Sequence, residues 1–242
     1  MIDKQYLTAT NILIAINVVI FFVTGMGQGR TGLELYYHQN SQFNPTQFIS
    51  YMFMHGSVHH LLFNMFGLWM FGTWLERLWG QKRFVIVYLV TGIGAALIYM
   101  VYNNWQFNNA MDIALQAGVS TEQLISAFQA GQYYPKIPAS GDAAAIFSTP
   151  MVGASGAIYG ILVAFAWLFP NFKMMLIFLP VPVAAKYFVP VLLAIDLFSG
   201  ITGFSLFGGN VAHFAHIGGA IIGALLMWFW YDREAELINR FR

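Results

Sequence analysis

Gly153-Ala154-Ser155-Gly156-Ala157-Ile158-Tyr159-Gly160 opens an apolar run that continues to Phe169. A serine set among small residues at the head of such a run has two readings. Gly and Ala let helix backbones approach closely, so the stretch can be a packing seam. The same small residues can also seat a nucleophile where a second backbone must come very near. Taken alone, the stretch favours packing. The rest of the chain decides between the two.

Composition sets the class. Of 242 residues, 58% are hydrophobic and 9% are charged, and the mean hydropathy is +0.62. A soluble domain carries roughly 25% charged residues. Too little polar surface is available to cover a water-facing globule, so the chain reads as an integral membrane protein. The net charge of +1 gives no electrostatic footprint for nucleic acid. With no cysteine, disulfides, thiol nucleophiles and thiolate metal sites are excluded. The Met1–Tyr6 start lacks the basic region and cleavage site of a signal peptide, so the first apolar run is expected to remain as a helix.

A spanning helix needs about 20 apolar residues. Six segments are candidates: about Thr10–Met26, Val58–Leu75 (after a Gly56-Ser57 start signal), Phe84–Tyr102, one from near Pro150 that ends before Pro170, a short Lys186–Ser199, and Val211–Tyr231. The expected fold is therefore all-α, a polytopic bundle of six transmembrane helices forming one membrane domain over 1–242. Residues 27–53 form a long aromatic-rich link whose Leu33, Leu35, Tyr36, Tyr37, Phe43 and Phe48 are expected at the membrane interface. Residues 103–149 form a second long, polar link. It is expected to hold one short capped helix near Ser120–Ala130, opened by Ser120-Thr121-Glu122-Gln123. Phe172–Ala185 is apolar but carries Pro180 and Pro182, and reads as a membrane-hugging loop rather than a seventh span. Gly200–Asn210 reads as a mobile Gly-rich loop. With a cytoplasmic N-terminus, nine of the 11 Lys and Arg residues fall inside, and only Arg30 and Lys136 fall outside. Both termini are therefore expected in the cytoplasm, the 232–242 tail included, with both long links on the other side.

Polar side chains inside a membrane are costly and usually functional. His60 and Asn64 lie a few residues into the second helix, Ser155 into the fourth, and His216 into the sixth. All three helices run from the outer face inward. At 1.5 Å per residue, the four groups share a layer on the order of 5–10 Å below that face. Helix packing alone does not predict that coincidence. A serine hydroxyl becomes nucleophilic when a base takes its proton, and either His216 or His213 can be that base. His60 and Asn64 share one helical face, from which an imidazole and an amide can stabilise an oxyanion with backbone N–H groups at the start of helix four. A shallow site also admits the water that hydrolysis requires.

These motifs resemble the rhomboid family of intramembrane serine proteases, as found in bacteria. The resemblance rests on His60-Leu61-Leu62-Phe63-Asn64, on Gly153-Ala154-Ser155-Gly156, and on Ala215-His216-Ile217-Gly218-Gly219, each in the matching helix and order. It covers about Tyr6 to Tyr231. It implies that Ser155 is the nucleophile and His216 the general base, a dyad without a carboxylate. It further implies that His60, Asn64 and the Ser155 N–H form the oxyanion hole. Tyr159 would pack on the histidine, and Gly153, Gly156 and Gly219 would permit the close approach of helices. The substrates implied are transmembrane proteins cut near the outer membrane face of a bacterial inner membrane, with access at about Lys186–Asn210. Membrane lipid is the other partner, and no cofactor or metal is implied. Two departures are visible. The first outer link lacks the Trp-Arg pair of many bacterial members, and the roughly 45-residue third link is longer than in the best-known ones.

Other residues read as structural. His55 and His59 are expected to make interfacial hydrogen bonds. Asp196, in the outer half of helix five, stands between a functional acid and an interfacial or locally hydrogen-bonded carboxylate, with the second favoured. Glu76 and Arg77 read as a helix-end feature. The clustered histidines lack an H-E-x-x-H pair, and no carboxylate is expected to complete a metal site. Two other functions remain open: an inactive rhomboid-like factor that binds membrane proteins, and a transporter. The first would lack Ser155 or His216. The second predicts polar groups through the membrane depth or inverted repeats, and neither pattern is seen.

Overall fold

The computed structural model describes residues 7–27, 31–176, 179–204 and 212–240, with 175–176, 179–180 and 231–240 described as backbone. The described chain is mostly helical: α1 (Ala9–Val23), α2 (Gln47–Ser50), α3 (Val58–Trp79), α4 (Gln81–Gln116), α5 (Thr121–Gln129), α6 (Pro138–Ser148), α7 (Ser155–Leu168), α8 (Ala185–Thr202) and α9 (His213–Arg240). A 3-10 turn at Tyr51–Phe53 follows α2, and two short antiparallel strands, β1 (Lys173–Leu176) and β2 (Leu179–Ala184), precede α8. Arg30 and most of the Gly-rich loop, residues 205–211, lie outside the described residues.

Local chemistry explains the helix ends. The Thr8 hydroxyl caps α1 by accepting from Asn11 N–H at 3.2 Å. Ser57 caps α3 by accepting from His60 N–H at 3.1 Å. Gly80, at φ 76°, is the single residue between α3 and α4. Glu76 closes the entry of α1 from across the bundle. Its carboxylate accepts from Ala9 N–H at 2.7 Å, Thr10 N–H at 2.8 Å and the Thr10 hydroxyl at 2.6 Å. Charge-assisted bonds of this kind contribute about 1.5–3 kcal/mol. Glu76→Ala is therefore expected to lower the melting temperature in detergent by on the order of 5 °C. An unchanged melting curve would remove Glu76 from its role as the α1 clamp.

Helices α7 and α9 form the centre, with α4 against both. Their seam is built of glycine. A methyl at Gly219 would lie 1.8 Å from the Gly156 carbonyl oxygen, and one at Gly223 would lie 2.5 Å from that of Gly160. The two backbones therefore touch, in the small-xxx-small manner of membrane helix pairs. Thr91 of α4 ties in by donating to Val87 O at 2.7 Å and Ala157 O at 3.3 Å.

Among the described residues, three helices, α4, α8 and α9, are long and apolar enough to cross a membrane, while α1 and α7 are shorter apolar helices. The third expected helix is longer than expected. Instead of ending near Tyr102, α4 continues to Gln116, because Phe107, Ala110, Met111 and Ala114 recur at helical spacing and bury one face. The link after it is a folded cap. The reciprocal capping box of Ser120 and Gln123 starts α5, Pro138 starts α6, and Phe107, Leu124, Phe128 and Phe147 close a second small core with Tyr37. The first link is also more buried than an interfacial segment would be. Leu35, Tyr36 and Tyr37 are fully packed, Phe43 and Phe48 lie against the main core, and Leu33 remains exposed. Phe172–Ala185 does not form a seventh helix; its prolines sit in a β-hairpin.

Candidate active site

Helix α7 starts at Ser155, five residues later than Pro150. The intervening chain is extended. Leu35 and Met151 exchange backbone hydrogen bonds of 3.0 and 2.8 Å, and Gly153 N–H donates to Tyr51 O at 3.0 Å. Gly153 has φ +119°, a conformation L side chains rarely adopt, and a methyl there would lie 2.7 Å from His60 Nε2. This glycine lets the His60 ring come up beside the serine. Residue Ala154 offers no side-chain cap to α7. The first amides of the helix precede its first internal bond, from Ile158 N–H to Ala154 O, so donors and a positive dipole end gather around Ser155.

The Ser155 Oγ lies 2.7 Å from His216 Nε2. The Tyr159 ring stacks on the His216 ring at 4.1 Å and 10°. Gly219, one turn beyond His216, makes the backbone contact that sets this separation. The His60 Nδ1 accepts from Gly56 N–H at 3.4 Å, which leaves the proton on Nε2, the nitrogen that faces Gly153. Asn64 is buried, and its Nδ2 donates to His60 O at 2.8 Å. An amide nitrogen carries two hydrogens, so one remains for another acceptor. The structure thus brings Ser155, His216, His60, Tyr159, Gly153, Gly156 and Gly219 together, with Asn64 one turn below His60.

One neighbour departs from the carboxylate-free pair. Asp196 of α8 reaches His216 Nδ1 with Oδ2 at 3.1 Å and His213 Nδ1 with Oδ1 at 2.5 Å. It is a buried, hydrogen-bonded carboxylate, as one of the two structural readings had it, with the histidine pair as its partners. Its sequence separation from the histidines, 20 and 17 residues, hid the contact. The only advance signal was a carboxylate in an apolar helix. Asp196, His213 and His216 can each offer a metal one ligand atom, all within 4.8 Å of one another, so a carboxylate is present where none was expected. The 2.5 Å spacing is nevertheless that of a hydrogen bond. Two ligands on one tetrahedral zinc lie about 3.3 Å apart.

His55 does not make the expected interfacial bonds. It is buried against the His60 ring at 5.1 Å, edge to face. The Phe53 carbonyl lies on its side, but neither ring nitrogen has a hydrogen bond of standard geometry. Burial first, and then the adjacent His60, push its pKa down to about 3. It is therefore neutral across the physiological range and acts as packing behind His60. His59 is exposed and turned away.

The fold and this cluster define a helical integral membrane protein with a serine–histidine pair held between two touching helices. The Rhomboid domain sequence model matches residues 42–233, and the chain belongs to the rhomboid family. It is 27% identical over 219 residues to Rhomboid protein 1, mitochondrial, of Saccharomyces cerevisiae, covering 90% of this chain and 51% of that protein. It is 26% identical over 232 residues to the human Presenilin-associated rhomboid-like protein, mitochondrial, covering 94% and 49% respectively. Rhomboid protease AarA of Providencia stuartii is 28% identical over 188 residues, which cover 72% of this chain and 52% of that protein. The chain spans about half the length of these relatives. They come from mitochondria and from bacteria, so they do not single out the bacterial membrane expected from the motifs.

Proposed function

We propose that the protein is an intramembrane serine endopeptidase that cleaves transmembrane proteins. The observation that carries the reading is the 2.7 Å contact between Ser155 Oγ and His216 Nε2. Oγ attacks the scissile carbonyl as its proton passes to Nε2. The tetrahedral oxyanion is met by His60 Nε2–H, the free Asn64 N–H and the Ser155 amide. The protonated His216 then gives its proton to the leaving amine. Water, deprotonated by the same imidazole, releases the acyl group. No cofactor takes part.

The proposed setting is a six-span bundle acting as one domain over 1–242, with both termini cytoplasmic and the site toward the extracytoplasmic face of a bacterial inner membrane. Two features support that topology. The distribution of Lys and Arg is strongly one-sided. In addition, α7, with 14 residues, is about 21 Å long, shorter than the roughly 30 Å hydrocarbon core. A helix of that length, with its C-terminal end at the inner face, has its N-terminal Ser155 below the outer face, where water reaches it.

A fluorophosphonate tests the reading directly. It is expected to label the purified, membrane-reconstituted protein covalently at Ser155, and at no site in Ser155→Ala. Labelling mapped to another residue, or none in a preparation that cleaves a model transmembrane substrate, would reject the assignment.

A further inference from the structure

We propose that Asp196 is a positioning residue for the histidine base, fixing both the tautomer and the ring orientation of His216. This rests on the protease reading above. To take the serine proton, His216 must present a lone pair at Nε2, 2.7 Å from Ser155 Oγ. A neutral imidazole does so only with its single proton on Nδ1. A carboxylate accepts hydrogen bonds and donates none, so Asp196 Oδ2, 3.1 Å from Nδ1, selects that tautomer. Either tautomer would fit the serine without it, because Oγ can donate or accept.

The geometry around the carboxylate is that of a fixed support. Its other oxygen receives His213 Nδ1 at 2.5 Å. His213 and His216 lie three residues apart on α9 and so face α8 together. The Tyr159 phenol reaches the same carboxylate while its ring lies flat on His216. His216 is thus held at Nδ1 by α8, on one face by α7, and at Nε2 by the serine. Among the described residues, His60 of α3 is a further titratable neighbour. On α8 only Ala185, Val189, Asp196 and Ser199 are buried. This sparsely packed helix therefore spends one of its four buried positions on a carboxylate aimed at α9, an expensive choice for packing alone.

The test compares fluorophosphonate labelling rates with kcat and KM for a model transmembrane substrate, using the full chain in liposomes. The small reagent phosphonylates Oγ as fluoride leaves and the proton goes to Nε2, so its rate reads His216 without substrate binding. Asp196→Ala is expected to slow labelling and kcat together by on the order of 10²–10⁴-fold, with KM within about threefold. Asp196→Asn, close to isosteric, offers one acceptor to two imidazole N–H groups and an amide N–H that, turned to His216 Nδ1, selects the wrong tautomer, so it is expected to lose between about tenfold and 10⁴-fold. Adding His213→Ala frees that acceptor for His216 and should recover most of the loss. Asp196→Glu should recover part of the Asp196→Ala loss.

Wild-type labelling rates in Asp196→Ala, or in Asp196→Asn where the alanine variant does not fold, would overturn the positioning role and leave the protease reading standing. A change in KM or melting temperature with labelling unaltered would do the same and reduce Asp196 to a tie for α8. Wild-type protein that never labels at Ser155 would overturn both.

Discussion

Ser155→Ala and His216→Ala are each expected to lower cleavage of a purified transmembrane substrate by about 10⁴–10⁶-fold, and the double variant is expected to be no slower than either alone. The reason is that one proton transfer uses both groups. The Oγ–Nε2 contact of 2.7 Å makes the hydroxyl useful only while the imidazole can receive its proton. Once one partner is gone, the other has no function left to lose. The residual rate comes from the donors that remain, His60 Nε2–H and the first amides of α7, acting on whatever water enters. Ser155→Ala is a small change at the end of a seam fixed by backbone contact and should melt like the wild type, whereas His216→Ala removes a partner of the buried Asp196 carboxylate and the ring stacked on Tyr159 and should fold with a lower melting temperature. Losses that add in the double variant would show two independent roles, and persistent turnover in pure Ser155→Ala would remove the mechanism.

The grouping of this pair with its neighbours was legible in the sequence. His60, Asn64, Ser155 and His216 each fall a few residues into one of three separate apolar runs, which follows from counting residues. The packing role of the small residues in α7 was legible for the same reason. Its counterpart at Gly223 was not, because one glycine in a glycine-rich helix is distinguished only by what it touches. Asp196 was visible as an anomaly, but its partners were not. A carboxylate in a membrane helix signals a contact without saying which neighbouring helix turns toward it. The third link was misjudged by composition. Asn103, Asn104, Asn108 and Asn109 read as loop, yet Phe107, Met111 and Ala114 form one helical face that finds Leu124, Phe128 and Phe147 only when the cap folds. The late start of α7 was set by the pairing of Leu35 with Met151, more than a hundred residues apart, which no local pattern reports.

The same seam supports a second large effect at a residue with no chemistry of its own. A methyl added at Gly219 would sit 1.8 Å from the Gly156 carbonyl oxygen, with backbone on both sides of the contact. No side chain can rotate away, so α7 and α9 would have to separate by about 1.5 Å to restore an ordinary contact. The Ser155–His216 bond bridges those two helices one turn from the contact. A misplacement of about 1 Å can cost on the order of 10²-fold in rate. Gly219→Ala is therefore expected to lose at least that much labelling and turnover even where it folds. Gly219→Val is expected to lose the fold, with destabilisation of more than about 4 kcal/mol. The comparison is Gly67→Ala in α3, where the new methyl would meet Ile158 Cγ2 at 3.4 Å, an ordinary contact. That variant should keep activity and gain slightly in stability, since alanine favours helix by about 0.8–1.0 kcal/mol over glycine. Melting curves and fluorophosphonate labelling of the two alanine variants, run side by side, decide the matter. If they behave alike, the close approach of α7 and α9 is not what holds the serine against its base.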